Sequence, residues 1–380
     1  MFESLYLGLG QQLSRQLFDE TRQHLAKPRF RVSSLLAYSI AGLVHGVTLG
    51  FAALGVWLLM RYAFEPIPMI GGLLCLDLAW MLRPSLGKIA RSGAAGREEF
   101  PTLYGIADRI AAALGTRPAR QFIVDGSFNA SFREVGLFRN RVITIGLPLF
   151  AIHTPEERIA LVGHELAHGA NGDLTRGIFI GGAVATLIEW YEHLKPGLIW
   201  DPSDKSLFAF LSVPARVALL ALSSVPWLGA FLLVHLLFRD SQRAEYLADV
   251  LAARVSGTDA MIGSLHKLYL DATVDRTIQE LALARVQVGL IEALRRHVAA
   301  VPPREIERLR RVGMLEGARL DVTHPPTAYR IEVIKADRTS TAQVRVSSEE
   351  AARMEDELRV LEATIQADLI DAYRDDLYSG

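Results

Sequence analysis

Cysteine is almost missing from this chain of 380 residues: Cys75 is the only one. A single thiol excludes an intramolecular disulfide framework and a cysteine-based zinc cluster, and suits a reducing compartment. Charge of one sign is missing too. The 41 basic and 42 acidic side chains leave a formal net charge of −1, so no basic field points to nucleic acid. No glycine-rich phosphate loop, internal repeat or low-complexity linker stands out. The first thirty residues lack an apolar core followed by a small-residue cleavage site. They read as a polar amphipathic segment and not as a cleaved signal.

What the chain has in excess is apolar residues, 50% of the total, with a mean hydropathy of +0.22. That is high for a soluble protein and points to a membrane part beside a compact domain. Ser33–Met60 carries no charged side chain and exceeds the roughly 20 residues that a spanning helix needs. His45 lies within it and is expected to face a neighbouring helix. Pro66–Leu82 is a shorter candidate that contains Asp77, and an acid at such a position raises a functional question. Val217–Phe238, interrupted by Pro226, is a third, and the weaker Gly177–Ile188 a fourth. Four spans is the preferred count and three the fallback. Lysine and arginine crowd the segments before the first span, after the second and after the last. The positive-inside rule then puts both termini cytoplasmic, in a bacterial-type plasma membrane.

Between the second and third of these runs stands "LVGHELAHGANGD". Upstream, Thr154-Pro155-Glu156-Glu157 reads as a helix start with a capping box, and Gly169 and Gly172 as its stop. On a helix His164 and His168 lie one turn apart on one face, so both imidazoles reach one ion. Glu165 points about 100° away, placed to touch a water and not to ligate. A chance H-E-x-x-H arises on the order of once in a hundred such chains, so a third ligand must decide. Beyond the last apolar run, "DSQRAEYLADVLAARVSG" reads as a helix ending at Gly257. Glu245 and Asp249 share one face of it, flanked by Ala244, Leu247, Ala248 and Leu251. Glu245 would complete two histidines and one carboxylate with a position left for water. Asp249 would then accept the N–H of a ligating histidine and fix its tautomer.

The pair "HELAH" and "EYLAD", separated by an apolar hairpin and preceded by two N-terminal spans, resembles the membrane zinc metalloendopeptidases of the HtpX type. Their distant relatives include the CAAX prenyl endopeptidases. Upstream, "GSFNASFREVGLFRNRVITIGLPLF" reads as two strands joined by a turn near Gly136–Asn140. The resemblance implies that its edge strand, at Asn129, Ala130 and Ser131, pairs with an extended peptide substrate. Downstream, "THPPTAYRI" matches the family pattern with His324 and Arg330. The resemblance implies that they stabilise the oxyanion, that one zinc per chain activates water, and that Glu165 is the general base. It also implies a role in membrane-protein quality control.

The expected fold is mainly α with a small β-sheet: a multi-span membrane protein with a cytoplasmic zinc protease domain. Its order would be an amphipathic segment (1–32), two spans (33–83), the first protease part (84–176), a membrane hairpin (177–238), the second protease part (239–340) and an acidic helical tail (341–380). In that tail Met354, Leu358, Leu361, Ile365 and Leu369 recur at helical spacing, as for a helix packed on the domain. Two other readings stay open: a catalytically silent membrane scaffold or transporter retaining the zinc site, and a prenyl-protein processing protease.

Overall fold

The computed structural model describes residue 18 and residues 32–83, 93–136, 138–171, 178–195, 213–283, 288–316, 324–337 and 341–379. The amphipathic N-terminal segment, apart from Phe18 and Val32, and the loop with Asp201, Ser203 and Asp204 lie outside these. The contacts divide the chain into two units. One comprises residues 1–29, 88–173 and 239–380, the other residues 30–87 and 174–238.

The second unit is helical and apolar on its outside. Helices α1 (Val32–Arg61) and α2 (Pro66–Met81) pack tightly because Gly55 and Gly72 oppose each other. A Cβ on Gly55 would stand 2.9 Å from the Gly72 carbonyl oxygen, and one on Gly72 would stand 3.0 Å from that of Gly55. Small residues at such a crossing let two backbones touch. His45 donates to or accepts from no charged group here; its Nε2 lies 2.9 Å from the Phe179 carbonyl oxygen, on helix α6 (Ile178–Leu194). Asp77 is exposed on α2. Outward-facing side chains include Leu43, Trp57, Met60, Ile67 and Trp80, all more than half exposed. Among the described residues, two helical stretches are long and apolar enough to cross a membrane, Val32–Arg61 and Pro214–Phe238. Pro66–Met81 and Ile178–Leu194 are shorter.

The first unit is built on a mixed four-stranded sheet. Strands β1 (Ala94–Ala95), β2 (Gln121–Asp125), β3 (Ala130–Val135) and β4 (Asn140–Gly146) stand in the order β1-β2-β4-β3. β3 and β4 form the expected antiparallel hairpin, while β2 runs parallel to β4, so β3 is an edge. Alternation puts Phe122, Val124, Ala130, Phe132, Ile143 and Ile145 on one face, in the main core. Against that core pack α3 (Pro101–Ala113), the short α4 (Leu147–Ala151) and the HELAH helix α5 (Pro155–Asn171). Gly146 closes β4 where nothing larger fits. A Cβ there would overlap the Ser127 carbonyl oxygen at 1.7 Å, and its N–H donates to the Asn129 carbonyl oxygen at 2.8 Å.

α5 runs through Gly169 to Asn171, next to the expected stop at Gly172, and the Arg141 guanidinium donates to the Gly169 carbonyl oxygen at 3.1 Å. One helix end differs from the sequence expectation. The third apolar run and the EYLAD segment are one 44-residue helix, α7 (Val213–Ser256), with Pro226 inside it. A proline removes one backbone donor and does not by itself end a helix whose flanks are strong formers. The tail is α13 (Ser348–Ser379), after α8 (Thr258–Lys267), α9 (Asp271–Leu283), α10 (Leu290–Ala300), α11 (Pro303–Glu316) and α12 (Thr327–Ala336). Met354, Leu358 and Ile365 enter the main core, with Leu361 and Leu369 against it. The tail's acids serve as caps: Glu357 accepts the N–H groups of Thr102 and Leu103, and Glu362 that of Ile291. These donors belong to first helical turns that lack their own side-chain caps.

Leu358 is 1% exposed and Val360, two residues on, is 75% exposed. Leu358→Ala is expected to cost about 2–5 kcal/mol of unfolding free energy and Val360→Ala less than about 0.5 kcal/mol. Denaturant or thermal unfolding of the detergent-purified chain measures both.

Candidate metal centre

The centre is built where three segments meet. The capping box forms as read: the Thr154 N–H donates to Glu157 Oε2 at 2.9 Å, and the Glu157 N–H to Thr154 Oγ1 at 3.3 Å. Two turns later α5 delivers His164 and His168, 4% and 2% exposed, with ring centroids 4.9 Å apart. Across from them α7 brings Glu245, 1% exposed. Gly163 faces Ala252 of α7, where a Cβ would stand in ordinary contact at 3.6 Å.

The donor atoms converge. His164 Nε2 and His168 Nε2 are 3.3 Å apart, and each lies 3.4 Å from one oxygen of Glu245. In a tetrahedral zinc site with legs of about 2.0–2.1 Å, ligand atoms stand about 3.3–3.4 Å apart. Two imidazole nitrogens aimed at one another beside an ionised carboxylate suit a cation, and neutral nitrogen with carboxylate oxygen suits zinc. Burial works against the Glu245 charge, yet His168, His164 and His324 hold its pKa well below the ordinary carboxylate range.

Around the donors lies a second layer. Asp249 Oδ1 is 2.9 Å from His164 Nδ1, one turn along α7 from Glu245. Arg330, from α12, grips the same aspartate, with Nε donating to Oδ2 at 2.8 Å and Nη2 to Oδ1 at 2.6 Å. Burial penalises that guanidinium, but the Asp249 carboxylate outweighs it and raises its pKa. The expectation gave Arg330 to the oxyanion, and the structure commits two of its nitrogens to Asp249. His324 stands over the other carboxylate, its Nδ1 2.7 Å from Glu245 Oε2.

A cleft of about 530 Å³ opens onto this group. Glu165, His164, His324 and Arg330 line it on the polar side, with Asn129 and Ala130 at the start of the β3 edge. Ser131 follows on β3, half-buried and outside the cleft lining. The opposite wall is apolar, from Leu149, Leu161, Met261, Leu265 and Leu268. That wall was missed in the sequence, although 261, 265 and 268 are spaced to share one helix face. The Asp249–Arg330 pair was missed as well. Its partners are 81 residues apart and no local pattern joins them.

Hydrogen bonds from Asp249 and Glu245 overcome the cost of burial and lift the His164 pKa to about 9 in the metal-free protein. A metal must displace that proton, so zinc affinity is expected to rise by up to about tenfold per pH unit until about pH 9 and then level off. The metal-free fold has the opposite trend. A raised folded-state pKa contributes stability that is fully present below about pH 6.5 and is lost as pH rises through about 9. Zinc competition titrations and metal-free melting curves over that range check both signs, and a flat affinity profile would contradict the assignment.

The chain has relatives among known proteins. Residues 98–338, well over half of the chain, match the model of Peptidase family M48. A "Protease HtpX homolog" of Pyrobaculum calidifontis is 25% identical over 245 residues, 63% of this chain and 69% of that protein. A "Protease HtpX" of Pseudomonas syringae pv. tomato is 27% identical over 175 residues, 45% of this chain and 58% of that protein. The chain thus spans little more than half the length of the Pseudomonas relative. Helix α13 lies beyond the family match. Pairwise identity near a quarter would leave descent open, but a family match of this extent does not: the chain belongs to peptidase family M48.

Proposed function

We propose that the chain is a membrane-bound zinc endopeptidase whose ion is held by His164, His168 and Glu245, one per chain. The observation that carries this reading is the convergence of buried His164, His168 and Glu245, whose donor atoms all lie within 4.8 Å of one another. When bound, zinc supplies a Lewis acid for the scissile carbonyl and acidifies a water. Glu165, buried on the ligand helix and lining the cleft, accepts the water's proton as its oxygen bonds to the carbonyl carbon. The same carboxyl returns the proton to the leaving amine as the C–N bond breaks. Asp249 orients His164, and Arg330 keeps Asp249 charged and in place. His324 donates its Nδ1–H to Glu245, so only the imidazolium form of the ring also offers an Nε2–H to the oxyanion. Substrate joins the free edge at Asn129, Ala130 and Ser131 as an added strand.

The intact Glu165 supports catalysis over a silent scaffold or transporter, which would have no use for a base beside the metal. Prenyl-protein processing is the weaker enzymatic reading, because two to four apolar helices are few for a membrane chamber. For topology, four crossings with cytoplasmic termini and active site remain the proposal. His164 and Glu245 share one ion, so the chain between them crosses twice or not at all.

Glu165→Gln is expected to abolish cleavage of casein by the detergent-purified protein while zinc stays near one per chain. Glu245→Ala should instead lose zinc. A Glu165→Gln protein with near-normal turnover, or a Glu245→Ala protein with full zinc, would sink these roles. A reporter active only outside the cytoplasm should work when fused at Ser203 and stay silent at Gly257. A cytoplasmic Ser203 would remove the four-span topology.

A further inference from the structure

The sheet has two ends of opposite character. At the cleft end stand Ala130, Gly146 and Asp125, aligned by the parallel β2–β4 register and the antiparallel hairpin. At the other end, about 20 Å away along the six residues of β3, the hairpin turns at Gly136–Asn140. Phe138 projects from this turn, 86% exposed. It is the one exposed aromatic side chain among the described residues of the first unit.

Arginines surround it. Arg117, Arg139 and Arg141 converge on one carboxylate, Glu134, at 3.4, 2.6 and 3.3 Å. Glu134 is buried, whereas the Arg117 and Arg139 side chains are each 59% exposed. Arg120, whose N–H bonds the Arg141 carbonyl oxygen, and Arg133 of β3 add two more exposed charges without an acidic partner among the described residues. Burial and the neighbouring Arg117 pull the Arg141 guanidinium below its ordinary pKa, as crowded positive charge should. One carboxylate against five guanidiniums leaves this end of the sheet strongly positive in a chain whose net charge is −1. Arg141 also donates to the Gly169 carbonyl oxygen at 3.1 Å.

We propose that the β3–β4 hairpin tip is a membrane-contact site, with Phe138 entering the interface of an anionic bilayer and Arg117, Arg120, Arg133 and Arg139 meeting its phosphate headgroups. An aromatic ring amid basic side chains is the composition that binds such a surface, by apolar burial and electrostatic attraction together. The edge strand then runs from the lipid surface up to the cleft, so a chain leaving the bilayer would meet β3 before it met the metal. The lipid contact rests on the membrane reading above and is independent of catalysis.

The test uses the full chain with Cys75→Ser and a nitroxide label on Phe138→Cys. The protein is reconstituted in vesicles of phosphatidylcholine alone, or of equal parts phosphatidylcholine and phosphatidylglycerol. Oxygen collides with labels in lipid, and a nickel chelate with labels in water. In the anionic vesicles residue 138 should be open to oxygen and shielded from nickel, while a label at Val360 stays open to nickel. Arg120→Gln with Arg133→Gln should lower the immersed-to-free ratio about twenty-five-fold, about fivefold for each charge removed. A label at 138 that is open to nickel in both vesicles overturns the proposal. So does equal immersion in phosphatidylcholine alone, or immersion unchanged by the two arginine substitutions. A label at Leu54 separates the readings: if it too lies in water, the membrane assignment falls and the lipid contact with it. Casein cleavage by the same sample reports on the peptidase reading alone.

Discussion

Asp249 and Arg330 form a buried ion pair on which the centre depends. The aspartate is 0% exposed and the arginine 5%. Each charge alone would be costly to bury, and removing one partner of such a pair typically costs about 3–5 kcal/mol. The pair links α7 to α12, and through His164 it reaches α5. Three segments distant in sequence are thereby held to a spacing of a few ångström. Asp249 faces Nδ1 of the histidine, which leaves Nε2 turned toward His168 and Glu245.

Around this pair the unit divides its labour. The sheet presents a free edge, α8 and the turn after it supply an apolar wall, and α5 with α7 supply the donors. Gly146 joins two of these tasks. The Ser127–Asn129 segment lies across its bare backbone, which sets where β3 begins and so where the edge meets the cleft. Any side chain at that position would displace Asn129 before it touched the core.

The parts legible in the sequence were those with local periodicity. The HELAH helix and its capping box, the hairpin around Gly136–Asn140, and the apolar stripe of the tail each rest on spacing within one element. His164, His168 and Glu245 meet because two such elements cross, a crossing expected from the need for a third ligand. Harder to read were features set by packing. The continuity of α7 through Pro226 depends on its strong flanks, a balance that a proline in sequence does not reveal. The bond between Arg330 and Asp249 joins residues that share no local pattern, and the apolar spacing of Met261, Leu265 and Leu268 reads the same for a cleft wall as for core. The weakest of the expected spans, Gly177–Ile188, lies in a helix of 17 residues that carries Glu189 and Glu192.

The carboxylates of the tail bear on how the protein is made. Glu357 holds the first turn of α3, Glu362 that of α10, and Glu355 pairs with Arg158 on the ligand helix at 3.0 Å. All three are translated well after the helices they secure. While the ribosome is still reading the last stretch of message, α3 and α10 have unsatisfied ends and the core lacks Met354 and Leu358. Both zinc motifs are therefore synthesised before the helix whose side chains complete the core around them.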